Sequence, residues 1–356
     1  MIRVLVVDDS ALVRRLVTTA LALDPEIEVV GIAVHGREAI ERVEELQPDA
    51  VTLDIEMPVL DGLGALEAIR RTHPRLPIIM FSTLTEKGAT KTLEALSLGA
   101  SDFVTKPSNT TSMEASMTSV REQLIPKIKA LTAVRRLAAG ATARVTGSRP
   151  PVPAEPTPLA SPPPTTERAE VLLIGCSTGG PDALSRVLEE LPATLTVPVL
   201  VVQHMPPLFT TMFAERLDRV SALSVREAAE GDVPRAGEVL IAPGGKHLVV
   251  TSRVGIVRTQ LDDGPLENFC KPAVDTLFRS AAEVYGGRAA ALILTGMGSD
   301  GLEGCRLLSA KGARIMAQDV ATSVVWGMPG AVATAGLAHD VLPLEHIAGK
   351  LMGLLG

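Results

Sequence analysis

In the C-terminal half of the chain, a serine, a histidine and an aspartate each follow an apolar, strand-like run. Ser177 comes after 171–174, His204 after 197–202 and Asp300 after 289–294. A hydroxyl, an imidazole and a carboxylate are the parts of a nucleophile, its base and the group that orients the base. Ser177 stands in the pattern G-x-S-x-G, from Gly175 to Gly179, a strand-to-helix turn that would hold its hydroxyl clear of the backbone. Pro181 suits the first position of the following helix, whose free N–H groups would suit an oxyanion or a phosphate. The turn alone therefore reads either as a nucleophile elbow or as a glycine-rich nucleotide cradle. No Lys-Ser/Thr follows the glycines and no spaced G-x-G-x-x-G is present, which favours ester chemistry. His247, His339 and His346 lack the strand-end position of His204. Asp300 is preferred over Asp275, within a helical stretch at 272–285, and over Asp319, a reserve after the run 313–317. Cys176, beside the serine, reads as a buried, inert thiol. The order Ser…His…Asp also differs from the Ser…Asp…His of α/β-hydrolases.

A second constellation lies near the N-terminus, where Asp8 and Asp9, Asp54, Ser82 and Lys106 close successive strand-like runs. Three carboxylates at one rim repel one another unless a cation sits among them, and oxygen ligands without His or Cys suit Mg²⁺. Asp54 could then accept a phosphoryl group, with Lys106 pairing its oxygens and Ser82 hydrogen-bonding one of them.

Parallel α/β sheets are the elements that must position these groups. Runs at 3–7, 27–33, 49–54, 77–82 and 102–105 alternate with helical patterns and predict five βα units over residues 1–124, a flavodoxin-like arrangement. Residues 125–168 read as a helical extension followed by a semi-rigid spacer, since 147–168 holds eight prolines in twenty-two residues. Lys127, Lys129, Arg135 and Arg136 on the extension read as a solvated basic face. Residues 169–356 predict a second α/β domain, doubly wound and mostly parallel. A net charge of -7 and an aromatic content of 2% argue against nucleic-acid binding. Three scattered cysteines fit neither a disulfide framework nor a zinc site and suit a reducing cytoplasm. No apolar run reaches membrane-spanning length, and 4–7 meets Asp8-Asp9 too soon for a signal peptide, so a cytoplasmic protein without membrane insertion is expected.

VDDS, LDIEMPVLDG and DFVTKP closely resemble the response-regulator receiver domains. That resemblance implies Asp54 as phosphoacceptor, and Mg²⁺ held by Asp8, Asp9 and Asp54 with the Glu56 carbonyl. It also implies Ser82, Phe103 and Lys106 as the phosphorylation switch, and a peptide before Pro107 that is often cis. A core phenylalanine is the alternative reading of Phe103. IGCSTGGP, VVQHMPPLFTTMFAERLD, APGGKH, KPAVDTLF, LTGMGSDG and AQDVATSVVWGMP resemble the catalytic domain of the chemotaxis protein-glutamate methylesterases over nearly all of 169–356. This second resemblance implies Ser177 as nucleophile, His204 as base and acid, Asp300 as orienting carboxylate, and the Met297 N–H in the oxyanion hole. It implies glutamyl methyl esters of chemoreceptors as substrates, with deamidation of certain glutamines, and a chemotaxis histidine kinase as phosphodonor. Unphosphorylated, the receiver is expected to obstruct the catalytic rim. The segment 330–333, GAVA, departs from the family in lacking charge. A receiver-controlled signalling protein whose second domain only binds a partner stays open as the alternative.

Overall fold

The computed structural model describes residues 1–107, 112–142 and 168–355, and the chain divides into two compact units, Met1–Gly147 and Ser148–Gly356. The spacer expected over 147–168 lies outside the described residues apart from Arg168.

The first unit alternates strand and helix throughout. Its elements are β1 (Ile2–Val7), α1 (Ala11–Ala22), β2 (Ile27–Ala33), α2 (Gly36–Leu46), β3 (Ala50–Asp54), α3 (Gly62–Thr72), β4 (Ile78–Ser82), α4 (Glu86–Ser97), β5 (Asp102–Thr105) and α5 (Met113–Thr142). The five strands pair in parallel in the order β2-β1-β3-β4-β5, the flavodoxin-like order. Every residue of β3 and β4 is buried, as strands covered by helices on both faces require. Ser10, Asp61 and Thr85 start α1, α3 and α4 by accepting a first-turn N–H. The helix α5 runs straight through position 124, so 125–142 continue it. Lys127 and Lys129 do not form the solvated basic face expected of them. Lys127 Nζ lies 2.8 Å from Asp102 and donates to the Phe103 carbonyl at 2.9 Å, while Lys129 Nζ lies 2.8 Å from Asp24. The side chains of Arg135 and Arg136 lie outside the described residues.

The second unit comprises β6 (Val171–Cys176), α6 (Gly180–Glu190), β7 (Val199–Gln203), α7 (Phe209–Val220), β8 (Ser224–Glu227), β9 (Glu238–Ile241), β10 (His247–Arg253), β11 (Ile256–Asp262), α8 (Val274–Val284), β12 (Ala289–Ile293), α9 (Leu302–Ala310), β13 (Arg314–Gln318), α10 (Met328–Thr334), β14 (Asp340–Leu342) and α11 (Leu344–Leu355). Seven strands pair in parallel in the order β14-β13-β12-β6-β7-β9-β8, and β10 and β11 form a separate antiparallel hairpin. One core, built from Leu173, Val202, Leu277, Phe278, Ile293 and Leu308 among others, joins β6, β7, β12, α8 and α9. Among the described residues, no helix is long and apolar enough to cross a membrane.

Candidate active site

Central in the seven-stranded sheet, β6 and β12 are neighbours, and from them the chain winds outward in opposite directions, through β7 on one side and β13 on the other. A crevice opens at the carboxyl ends of strands where winding reverses. Ser177 follows β6, Asp300 lies in the turn after β12, and His204 follows β7. Backbone bonds lock the three strand ends together: His204 N–H donates to Cys176 O at 3.1 Å and Ser177 N–H to Thr295 O at 3.0 Å. Gln203, buried at the end of β7, donates its amide to the Ser177 and His204 carbonyls at 3.0 and 3.3 Å. Gly179 caps α6 at φ 77°, a left-handed conformation that a side chain would resist, and this turns the chain sharply after the serine.

His204 and Asp300 are in direct contact, with Nε2 and Oδ2 2.8 Å apart and the two side chains only 12% and 2% exposed. Asp300 accepts from four further N–H donors: Val274 N at 2.6 Å, Asn268 Nδ2 at 2.9 Å, and the Asp275 and Gly301 amides, each at 3.0 Å. The Val274 and Asp275 amides belong to the first turn of α8, so the carboxylate satisfies helix donors that have no intrahelical partner and lies at the positive end of the helix dipole. Burial alone would raise the Asp300 pKa, but the His204 contact and these amides outweigh it and hold it at about 2. For His204, burial disfavours the charged ring; the Asp300 carboxylate and the Cys270 sulfur outweigh burial and raise its pKa above the ordinary imidazole range.

Among the described residues, the Ser177 hydroxyl makes no hydrogen bond to the imidazole. With Nε2 committed to Asp300, the remaining face of the ring is Nδ1, where Cys270 Sγ sits at 3.5 Å. Met297, just after the strand end, donates its N–H to no acceptor among the described residues. The competing residues are otherwise employed. Cys176 is fully buried, and burial pushes its thiol far up. Asp319 accepts the Thr322 N–H at 2.9 Å, and His247 bridges Ala273 N and Pro265 O.

The rim of the first unit gathers the other predicted set. Ligand oxygens of Asp8, Asp9 and Asp54 all lie within 4.8 Å of one another. Lys106 Nζ is 2.8 Å from both Asp8 Oδ2 and Asp54 Oδ1. Its ammonium therefore pairs with both carboxylates and offsets part of their mutual repulsion. Three carboxylates with oxygens this close, and no His or Cys among them, fit a hard divalent cation such as Mg²⁺. Burial, and secondarily the Asp8 charge, raise the Asp54 pKa to about 6 against the opposing pull of Lys106. The Glu56 carboxylate turns away to pair with Lys87 and Lys91, so only its carbonyl is left to offer. The Ser82 hydroxyl faces α4, accepting from Thr92 Oγ1 at 2.7 Å and donating to Gly88 O at 3.2 Å. Phe103 is buried beneath Lys127, whose Nζ lies 5.5 Å from the ring centroid. The Lys106–Pro107 peptide is trans, unlike the cis bond often found at that place in the receiver family; the cis peptide among the described residues is Lys271–Pro272.

Comparison with known proteins adds independent information. Residues 172–351 match the family described as CheB methylesterase, and residues 4–118 match the response regulator receiver domain. A protein-glutamate methylesterase/protein-glutamine glutaminase of a Nocardioides species is 54% identical over 99% of this chain and 94% of its own length. The protein of the same name from Trichodesmium erythraeum is 44% identical over 99% of both chains. The crystal structure of the Thermotoga maritima CheB methylesterase catalytic domain covers 53% of this chain and all of that chain, with a TM-score of 0.52 and 42% identity. The chain belongs to the CheB methylesterase family. It joins an N-terminal receiver unit to a C-terminal CheB-type catalytic unit.

Within this family member, three residues of the catalytic rim escaped the reading of the sequence. Asn268, Cys270 and Asp275 lie in or beside the segment between β11 and α8, and they touch the His204–Asp300 pair or its neighbours. Asp275, read from the sequence as a pairing or solvated helical residue, is 3% exposed and accepts Gly304 N at 2.7 Å and Asn268 Nδ2 at 2.9 Å. Burial, with the nearby Asp300 charge, raises its pKa to about 6. Its position one residue into the helix that begins at Val274 was the available signal. For Asn268 and Cys270 no spacing rule applies, because a loop carries them.

Proposed function

We propose that this protein is a phosphorylation-activated serine hydrolase that demethylates glutamyl methyl esters of chemoreceptors and deamidates particular glutamines there. Ser177 Oγ attacks the ester carbonyl and His204 takes the proton. With Nε2 facing Asp300, Nδ1 is the nitrogen that receives it, and the Cys270 contact must yield to the serine. The tetrahedral oxyanion is held by the Met297 N–H together with amide donors of the glycine turn; such donors are each worth about 10² to 10³ in rate. His204 then protonates the leaving methoxide and methanol departs. Water, activated by the same imidazole, hydrolyses the glutamyl-enzyme and restores the carboxylate. A glutamine follows the same course with ammonia as the leaving group. Asp300 stays ionised throughout and fixes the ring.

Regulation is assigned to the receiver unit. Asp8, Asp9, Asp54 and the Glu56 carbonyl would hold Mg²⁺, whose charge neutralises phosphoryl oxygens when it is bound. Asp54 accepts the phosphoryl group from a chemotaxis histidine kinase. Lys106 then pairs with its oxygens, and Ser82 exchanges its bonds to α4 for one to the phosphate. With Phe103 on the neighbouring strand, that exchange reports phosphorylation to the unit's surface and relieves obstruction of the catalytic rim. The boundaries of action are residues 1–124 for the receiver, 125–168 for its helical extension and the proline-rich linker, and 169–356 for catalysis, in a cytoplasmic setting.

The observation that carries this reading is the His204–Asp300 contact at the end of strands flanking the G-x-S-x-G turn. Methanol release from methylated receptor membranes tests it: wild-type protein should release methanol, faster with a phosphodonor present, and a Ser177→Ala protein retaining full activity would remove the assignment.

A further inference from the structure

Phe269 is the one phenylalanine that the fold does not bury. Of the six in the chain, Phe81, Phe103, Phe209, Phe213 and Phe278 lie inside, whereas Phe269 is 97% exposed. Its ring forgoes the burial that stabilises its five counterparts. The backbone beneath it is strained as well: Asn268 and Phe269 have φ of 51° and 63°. Bulky side chains avoid that left-handed region, and it persists only where surrounding contacts impose it.

Those contacts run to the reacting groups. Asn268 Nδ2 donates to Asp300 Oδ1 and to Asp275 Oδ2, each at 2.9 Å. On the other side, Cys270 Sγ lies 3.5 Å from His204 Nδ1. Glu267 and Cys270 exchange backbone hydrogen bonds across the turn, and the Glu267 carboxylate is tied to Arg279 and to Thr276 on α8. Both neighbours of Phe269 therefore touch the catalytic pair, which fixes the turn that carries the ring next to it. Leu266 on the same turn is 62% exposed.

We infer that Phe269 is a specificity-determining residue, an apolar platform for a side chain of the polypeptide that carries the esterified glutamate. The inference rests on the esterase reading and deepens it. In a helical substrate, a residue three or four positions from the modified glutamate shares its face and would lie against the ring. The strain is retained because Asn268 and Cys270 hold the turn against Asp300 and His204, and the exposed ring between them is left free to meet substrate.

Steady-state kinetics of the full-length protein on a methylated cytoplasmic chemoreceptor fragment, and on p-nitrophenyl acetate, separate the possibilities. Phe269→Ala should raise KM for the fragment about tenfold with kcat nearly unchanged, as loss of an aromatic anchor does. The same change should leave p-nitrophenyl acetate, which has no flanking chain, little affected, and Phe269→Leu should recover most of the lost affinity. An unchanged KM for the fragment would overturn the inference, as would an equal loss on both substrates. A rise in the unphosphorylated rate with no change in KM would mark the ring as a receiver contact and overturn it too. Failure of the wild-type protein to release methanol from the fragment would instead refute the esterase reading on which the inference stands.

Discussion

Both units place a carboxylate where a parallel sheet reverses its winding, and they treat it in opposite ways. Asp300 receives five N–H donors, two of them from the start of α8, and its pKa is held at about 2. Asp54, buried beside the Asp8 charge, receives among the described residues only Ile55 N and Lys106 Nζ, both on Oδ1, and its pKa is pushed up to about 6. Surrounded by donors, a carboxylate stays charged and serves as a fixed acceptor that orients its neighbour. Short of donors and crowded by like charge, it favours whatever neutralises it, a proton, a cation or a covalent phosphoryl group. The same topological position thus suits an orienting group in one unit and a reacting group in the other, and the local count of N–H donors makes the difference.

The largest test of that contrast falls on the group Asp300 orients. His204→Gln should lower kcat for methyl-ester hydrolysis by about 10⁴-fold or more, as loss of a general base does; stopped or continuous methanol assays read it directly. Asp300→Asn should cost about 10⁴-fold, because the ring stays in place but loses the charge that fixes its tautomer and orientation. If it instead had no effect, the saturated carboxylate would be a structural cap for α8 and nothing more.

Asn268→Asp sharpens the comparison by making the catalytic rim resemble the receiver rim, with three crowded carboxylates. The His204 pKa is already raised, so its neutral, basic form grows as pH rises and kcat/KM should climb through an alkaline limb. A further negative charge raises that pKa again, moves the limb to higher pH and lowers kcat/KM at pH 7 about tenfold, as a tenfold smaller fraction of neutral imidazole requires. A pH profile with an unshifted limb would contradict this.

Asp54→Asn should have the smallest effect, on stability. The folded-state pKa of Asp54 lies above its ordinary value, so the folded unit binds that proton more tightly than the unfolded chain. Stability is therefore lost as pH rises from about 4 through 6, and at pH 7 the ionised group is a net cost. Removing the charge should stabilise the receiver unit by about 1–2 kcal/mol in chelator, less than the raised pKa alone implies because Lys106 loses an ion-pair partner. Thermal unfolding checks this, and Mg²⁺ should narrow the gap by stabilising the wild-type protein alone.

Much of this architecture was legible in the sequence because it rests on long-range periodicity and on residue types at strand ends. The runs ending at Asp8, Asp54, Ser82, Ser177 and His204 became strands, and parallel pairing aligned their carboxyl ends. The short strands β8, β9 and β14 and the hairpin β10–β11 were not anticipated. Strand β11 buries only Thr259 of its seven residues, so no apolar run marks it. Loop residues were likewise hidden. Asn268 and Cys270 owe their places to a turn whose shape is imposed by contacts with Asp300 and His204, and such contacts have no local signature. The basic face of α5 was misread for a related reason: Asp102 and Asp24, the partners of Lys127 and Lys129, are distant in the sequence.

The central claim is that Ser177, and no other side chain at the rim, is the nucleophile served by the His204–Asp300 pair. Intact-protein and peptide mass spectrometry after treatment with a fluorophosphonate measures it most directly. A single adduct on Ser177, greatly slowed in the His204→Gln protein, is the predicted result. An adduct on another residue at the rim, or labelling of Ser177 at the same rate without His204, would contradict it.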